Sequence, residues 1–331
     1  LKNEIDDLYD PSYTDMLRVA FTFRFKRGKL QDLVALLSGR NFETRQYEET
    51  IVEDSFQKLD EGIKDYINEN NFKKFIMILR SAGFISSSLI RSQNAVNFAY
   101  VLYLTLRESG QQPAEIESMV RKWFALSILT GRYSGSPESQ FDKDIRRIDE
   151  IGAQRYIADA IAAELSDNFW EVALPQAMNT SVSSSPLFSV FLASQVKNND
   201  KGFLSKEITV KDLIELKGDV HHIFPREYLK KHGCNRGIYN QIANYVMAQS
   251  EINIAIGSNP PAVYLNDVLN QCRGGKLRYG GINSEEELRK NLEMHCIPPE
   301  IFNMDFSRYA EFLEKRRKLM AGKIKDYFFS L

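Results

Sequence analysis

The sequence predicts a mainly α protein with a small α+β part towards its C-terminus. Three observations predict it. Apolar residues recur at steps of three and four through much of the first 200 residues. The polar, turn-rich stretch KNNDKG, residues 197–202, ends that pattern. Beyond it, two short pieces around 217–223 and 244–248 read as extended. A helical domain over 1–198 and a second domain over 199–331 follow from that boundary. With 331 residues, 43% of them hydrophobic, the chain can bury a sizeable core.

Taken in order, Asp10-Pro11 opens a helix to about Phe25, with Pro near the first turn, and Leu30 to Leu37 gives a second. Residues 46–69 form a long amphipathic helix with Val52, Phe56, Leu59, Ile63 and Ile67 as its apolar stripe, and 71–80 another. Asn94 to Glu108, apolar on most faces, reads as a central buried helix that Gly110 stops. Pro113 to Leu129 follows, with Trp123 and Phe124 turned to the core. The break TGRYSGSPESQFDKDI precedes a charged helix to about Ile148. There Arg132 and the helix N-terminus suit a phosphate, but a plain connecting loop is the better-supported reading. Residues 151–165 continue helical, and Pro186 starts an apolar helix ending near Val196. After the boundary, a helix from about Pro260 to Gln271 and a long one from Asp305 to Phe329 complete the pattern. In the last, Phe306, Tyr309, Phe312, Leu313 and Leu319 oppose a basic cluster, Lys315 to Lys318, read as a solvated face.

Composition removes several classes. Cys234, Cys272 and Cys296 form no CxxC pair and leave an odd count, as expected of reduced thiols in the cytoplasm. The longest apolar run, Ala95 to Leu106, falls short of the roughly 20 residues that span a bilayer, so no membrane partner is expected. His232 and Cys234, with His295 and Cys296, match no usual zinc spacing. HExxH, the P-loop, GxSxG and GxGxxG are all missing. The net charge of −1 is uneven: residues 201–331 carry 20 Lys and Arg against 16 Asp and Glu, and residues 1–200 carry 23 against 28. A polyanion would therefore meet the C-terminal part.

The chemistry gathers in GDVHHIFPREYL, residues 218–229. If this segment is extended, Asp219, His221 and Ile223 share one face while Val220, His222 and Phe224 share the other. The two imidazoles then have separate surroundings. Two hydrogen-bonded histidines on a strand are the bland alternative, and for Asn244 and Asn253 downstream that alternative is turn chemistry.

Asp or His followed by His-Ile-x-Pro, then Asn, then Asn or His, resembles the HNH, or ββα-metal, nucleases. DVHHIFPREYL, IYNQIAN and NPPAVYL look more specifically like the C-terminal nuclease domain of GmrSD-type restriction endonucleases. MLRVAFTFRFKRGKLQDLVALLSGRNFETR and RKWFALSILTGRYSGSPESQFDKDIRRI are similar to the helical middle region of that family. The resemblance implies an HNH domain embedded in helices at 199–331, and a DNA endonuclease of a bacterial anti-phage restriction system, often directed at modified bases. It implies His222 as general base, His221 and Asn253 as ligands of a divalent metal, and Asn244 as the side chain that fixes the loop carrying the base. Many members have Asp where this chain has His221, and a neutral nitrogen ligand shifts preference away from Mg²⁺ towards Mn²⁺, Ni²⁺ or Zn²⁺, so the identity of the metal, Mg²⁺, Mn²⁺ or Ni²⁺, stays open. Between His222 and Asn244 lie Arg226, Lys230, Lys231 and Arg236, expected to meet DNA phosphates. The family's N-terminal ParB-like domain has no counterpart here, and a chain that opens on Leu1 fits a fragment. A non-cleaving DNA-binding or regulatory module, or a nuclease directed at RNA, are the other readings.

Overall fold

The computed structural model describes residues 8–42 and 44–331. The chain divides into two compact units, one of residues up to Ala82 with Ile90–Ser166, the other of Gly83–Leu89 with Asp167–Ser330. The division falls ahead of the turn at 197–202, which lies inside the second unit. The reason is visible in the helix before that turn, which packs on the C-terminal helix of the same unit.

The first unit is built from α1 (Tyr13–Phe25), α2 (Leu30–Leu37), α3 (Glu49–Ile67), α4 (Glu69–Ser81), α5 (Gln93–Glu108), α6 (Pro113–Leu129), α7 (Pro137–Ile151) and α8 (Ala153–Glu164). A Ser12–Asp15 capping box starts α1, and Pro occupies the first turn of α6 and α7. The central α5 is buried along most of its length, Trp123 and Phe124 of α6 are fully buried, and Gly110 takes a φ of 73° just past α5. Asn97, the polar break in that apolar run, accepts from Tyr9 Oη at 2.6 Å and donates to Asp15 at 2.6 Å. It therefore stays buried at no hydrogen-bonding cost.

One expectation needs correction here, and one alternative falls away. The buried face of α3 is Ser55, Leu59, Gly62 and Tyr66, while Phe56 and Ile67 are exposed. Small residues let α3 approach α1 so closely that a Cβ on Gly62 would stand 2.9 Å from the Ala20 carbonyl oxygen. Arg132 is no phosphate cradle: its side chain is buried, donates to both Asp144 oxygens at 2.8 and 2.5 Å and to Tyr156 at 2.8 Å, and pairs with Glu164. The loop reading stands.

The second unit contains a π turn (Phe169–Ala173) leading into α9 (Leu174–Ala177), then α10 (Pro186–Lys197), α11 (Val210–Glu215), β1 (Val220–His222), α12 (Arg226–Lys231), α13 (Arg236–Tyr239), β2 (Tyr245–Met247), α14 (Ser250–Ile256), α15 (Pro261–Cys272), α16 (Glu285–Met294) and α17 (Tyr309–Ser330). The strands pair antiparallel, Val220 with Met247, His221 with Val246 and His222 with Tyr245. The protein is thus mainly α with a small two-stranded part. Among the described residues no helix is long and apolar enough to cross a membrane.

The long tail begins as a helix at Tyr309, after a 3-10 turn at Phe306–Arg308. Its basic cluster is not wholly a solvated face. Arg316 is fully buried, donating from Nε to the His295 carbonyl at 3.0 Å and from Nη1 to the Ala243 carbonyl at 2.8 Å. Two main-chain acceptors meet a guanidinium that only its long stem allowed to reach inward.

Candidate functional site

β1 is short because both its ends are fixed. Upstream, Thr209 and Asp212 form a capping box on α11, and Lys217 (φ 54°) turns the chain so that the Gly218 N–H donates to the Leu213 carbonyl at 2.8 Å. Downstream, Pro225 caps α12 with its φ held by the ring. Between them, Ile223 and Phe224 are fully buried, with the Phe224 ring against Tyr309 and Phe312 of α17.

Asn244 secures this segment. The Phe224 N–H donates to Asn244 Oδ1 at 2.8 Å, and Asn244 Nδ2 donates to the Phe224 carbonyl at 3.1 Å and the Tyr239 carbonyl at 3.2 Å. Its main-chain carbonyl accepts from the Ile223 N–H at 2.9 Å, and Tyr264 Oη donates to the Ile223 carbonyl at 2.9 Å. Asn244, Ile223 and Tyr264 are all buried, so an unmade bond here would carry its full desolvation cost. The backbone immediately after the histidine pair therefore has little freedom.

A cleft of ≈ 400 Å³ opens beside β1, lined by Asp219, Val220, His221, His222, Pro225, Arg226, Glu227, Asn253 and Gly257. His221, His222 and Asn253 share it, while Asn244 lies beneath it and is fully buried. His222 Nε2 lies 3.0 Å from Asn240 Oδ1, and its ring meets Tyr245 edge-on at 5.2 Å. With that oxygen as acceptor, Nε2 carries the proton and the lone pair sits on Nδ1. Burial lowers the pKa of His222, the Asn240 hydrogen bond opposes this, and the nearby Arg226 charge lowers it further. The neutral ring is favoured.

His221 differs. Burial lowers its pKa, against the Asp219 charge and a hydrogen bond to the Ala248 backbone. Its Nε2 is buried without a hydrogen-bond partner among the described residues. Asn253, near the middle of α14, makes no side-chain hydrogen bond to the described residues. Among the described residues no group of three or more His, Cys, Asp or Glu is placed to hold a metal. The donors of this cleft include a carboxamide. An unpartnered imidazole nitrogen and a free carboxamide oxygen suit a divalent cation that keeps further positions open for water and phosphate.

The expected phosphate-binding residues separate. Arg226 lines the cleft, yet its Nε and Lys230 Nζ both donate to Glu227 Oε1 at 3.1 Å. Lys231 and Arg236 are exposed and make no side-chain bond to the described residues. Of the other candidate ligands, His232 stacks on Phe306 at 4.4 Å. His295 is buried, with Nε2 donating to the Lys201 carbonyl at 2.8 Å and burial taking its pKa down to about 3. Beside it, burial pushes the Cys296 thiol up to about 11. Both are core groups. Motif reading missed Asn240, Tyr264 and Arg316, which touch the site through hydrogen bonds to ring or backbone and carry no spacing rule. Strand alternation had set Asp219 on the face of His221, yet Val220 and His222 of the other face line the cleft as well.

The two-stranded sheet and α14 thus border one polar cleft that holds an imidazole pair. No family model matches the chain, and no solved structure does. Among curated proteins it is similar to Uncharacterized protein MJ0686 of Methanocaldococcus jannaschii, 26% identical over 220 residues that cover 62% of this chain and 37% of that protein. The chain thus matches little more than a third of that relative's length.

Proposed function

We propose that the second unit is a metal-dependent DNA endonuclease of the HNH type, serving a restriction-type anti-phage system. One observation carries the reading: β1, β2 and α14 bring His221, His222 and Asn253 to one cleft while Asn244 is wholly engaged in holding the backbone beneath. In the proposed reaction, Nδ1 of His222 takes a proton from a water whose oxygen attacks phosphorus. Asn240 keeps the other nitrogen protonated, and burial keeps the ring neutral enough to accept. As the new P–O bond forms, the bond to the 3′-oxygen breaks. Arg226, at the rim, offers charge to a neighbouring phosphate. His221 Nε2 and the Asn253 carboxamide would hold the divalent ion, whose charge offsets that developing on the phosphate and the leaving oxygen.

Supercoiled plasmid incubated with the protein and Mg²⁺, Mn²⁺ or Ni²⁺ tests this. Nicking is expected with at least one metal, falling by about 100-fold or more in His222→Ala, as befits loss of a general base. No nicking with any metal, or equal nicking by the variant, would overturn the proposal. Preferential cleavage of structured RNA would move the substrate from DNA to RNA.

A further inference from the structure

His221 and Asn253 are both neutral, so alone they would leave the charge of a divalent cation uncompensated by protein. We propose that Asp219 is the third protein ligand of this cleft and supplies the anionic oxygen that tunes it to hard ions such as Mg²⁺ and Mn²⁺; the proposal rests on the metal-dependent reading above. Asp219 lines the same cleft as His221 and Asn253. It stands one residue before β1 and two before His221, so strand alternation directs both to one face. It is exposed and makes no hydrogen bond or ion pair with the described residues, so no rearrangement is needed to free it. Its charge is felt at the His221 ring.

The cleft's other carboxylate is already engaged. Glu227 is bound by Arg226 and Lys230, each at 3.1 Å. Three residues with side-chain donors left without partners among the described residues therefore line one cleft: Asp219 with its carboxylate, Asn253 with its carboxamide and His221 with Nε2. Two oxygens and one nitrogen leave positions for water and for a substrate phosphate. A carboxylate also moves the preference of such a set from Ni²⁺ towards Mg²⁺ and Mn²⁺.

Isothermal titration of Mn²⁺, Mg²⁺ and Ni²⁺ into the full chain, without nucleic acid, reads the ligand set directly. Wild type is expected to bind Mn²⁺ at one site. Asp219→Asn should weaken Mn²⁺ by at least the roughly 10- to 100-fold that loss of supporting groups already costs a metal site, weaken Ni²⁺ less, and keep an unchanged melting temperature without metal. Glu227→Gln should bind Mn²⁺ as wild type does. If Asp219→Asn matched wild type while His221→Ala lost binding, Asp219 would be excluded as a ligand and the nuclease reading would survive. Failure of wild type to bind Mn²⁺ or Mg²⁺ would overturn both.

Discussion

At the scale of single residues, burial decides what each histidine can do. His221 and His222 are partly exposed on one cleft, whereas His295 is fully buried between Lys201 and Gln195. The motif around His221-His222 singles that pair out, but nothing in the sequence shows that His295 is sealed in the core. Tertiary burial made the difference, and for the same reason Arg316 looked like a surface charge until its two main-chain acceptors were seen. His295 gives a prediction with a definite sign. Its folded pKa is about 3, below the value near 6.5 of an unfolded chain. The unfolded state therefore takes up a proton that the folded state refuses, and the resulting stability is complete above about pH 6.5 and lost as pH falls towards 3. Replacing His295 by Gln keeps a donor for the Lys201 carbonyl but removes the titration. Urea midpoints at pH 7, 6 and 5 should show wild type losing up to about 1.4 kcal/mol per pH unit more than His295→Gln in the lower part of that range. Parallel pH dependence of the two proteins would contradict the assignment.

At the scale of elements, what could be read from sequence were helices with chemical punctuation. Leu30–Leu37 and Pro113–Leu129 came out at the predicted residues, the latter because Pro sets its first turn. The short helices α11, α12, α13 and α14 were not legible as helices. Elements of four to seven residues cannot stand alone and form only where packing and caps support them. The face of α3 was misread for a complementary reason: periodicity weighs large apolar residues, and this contact is made through Ser55 and Gly62. Gly62→Ala tests that contact. Alanine favours a helix by up to about 1 kcal/mol, but its Cβ would meet the Ala20 carbonyl oxygen at 2.9 Å and Arg24 Cγ at 2.8 Å. The backbone oxygen cannot swing aside, so a net destabilisation of about 1–2 kcal/mol is expected. Gly322→Ala in α17, where nothing lies within 4 Å of the added carbon, should stabilise instead. Equal effects at the two sites would show that helix propensity, not close approach, governs position 62.

At the scale of the whole chain, a net charge of −1 provides no general attraction for a polyanion, so the proposed binding to DNA would come from a local surface. The motif points to where the proposed surface would lie, but not to the ion pairs there. Glu227 holds two of the four cations expected to meet phosphate, while Lys231 and Arg236 stand exposed without such a pair among the described residues. A phosphate must displace Glu227 before it can take Arg226 and Lys230 fully, and solvent-exposed pairs of this kind hold only weakly. The pair is therefore a modest brake rather than a block. Fluorescence anisotropy with a labelled duplex and the His222→Ala protein, over a range of salt, separates these contributions. Lys231→Ala or Arg236→Ala should weaken binding to all sequences alike and reduce the slope of log K against log salt by about 1 for each phosphate that the protein no longer neutralises. Glu227→Gln should tighten binding at low salt and steepen that slope, because two more cations become available for phosphate. A salt dependence unchanged by all three substitutions would place the DNA-binding surface away from α12 and α13.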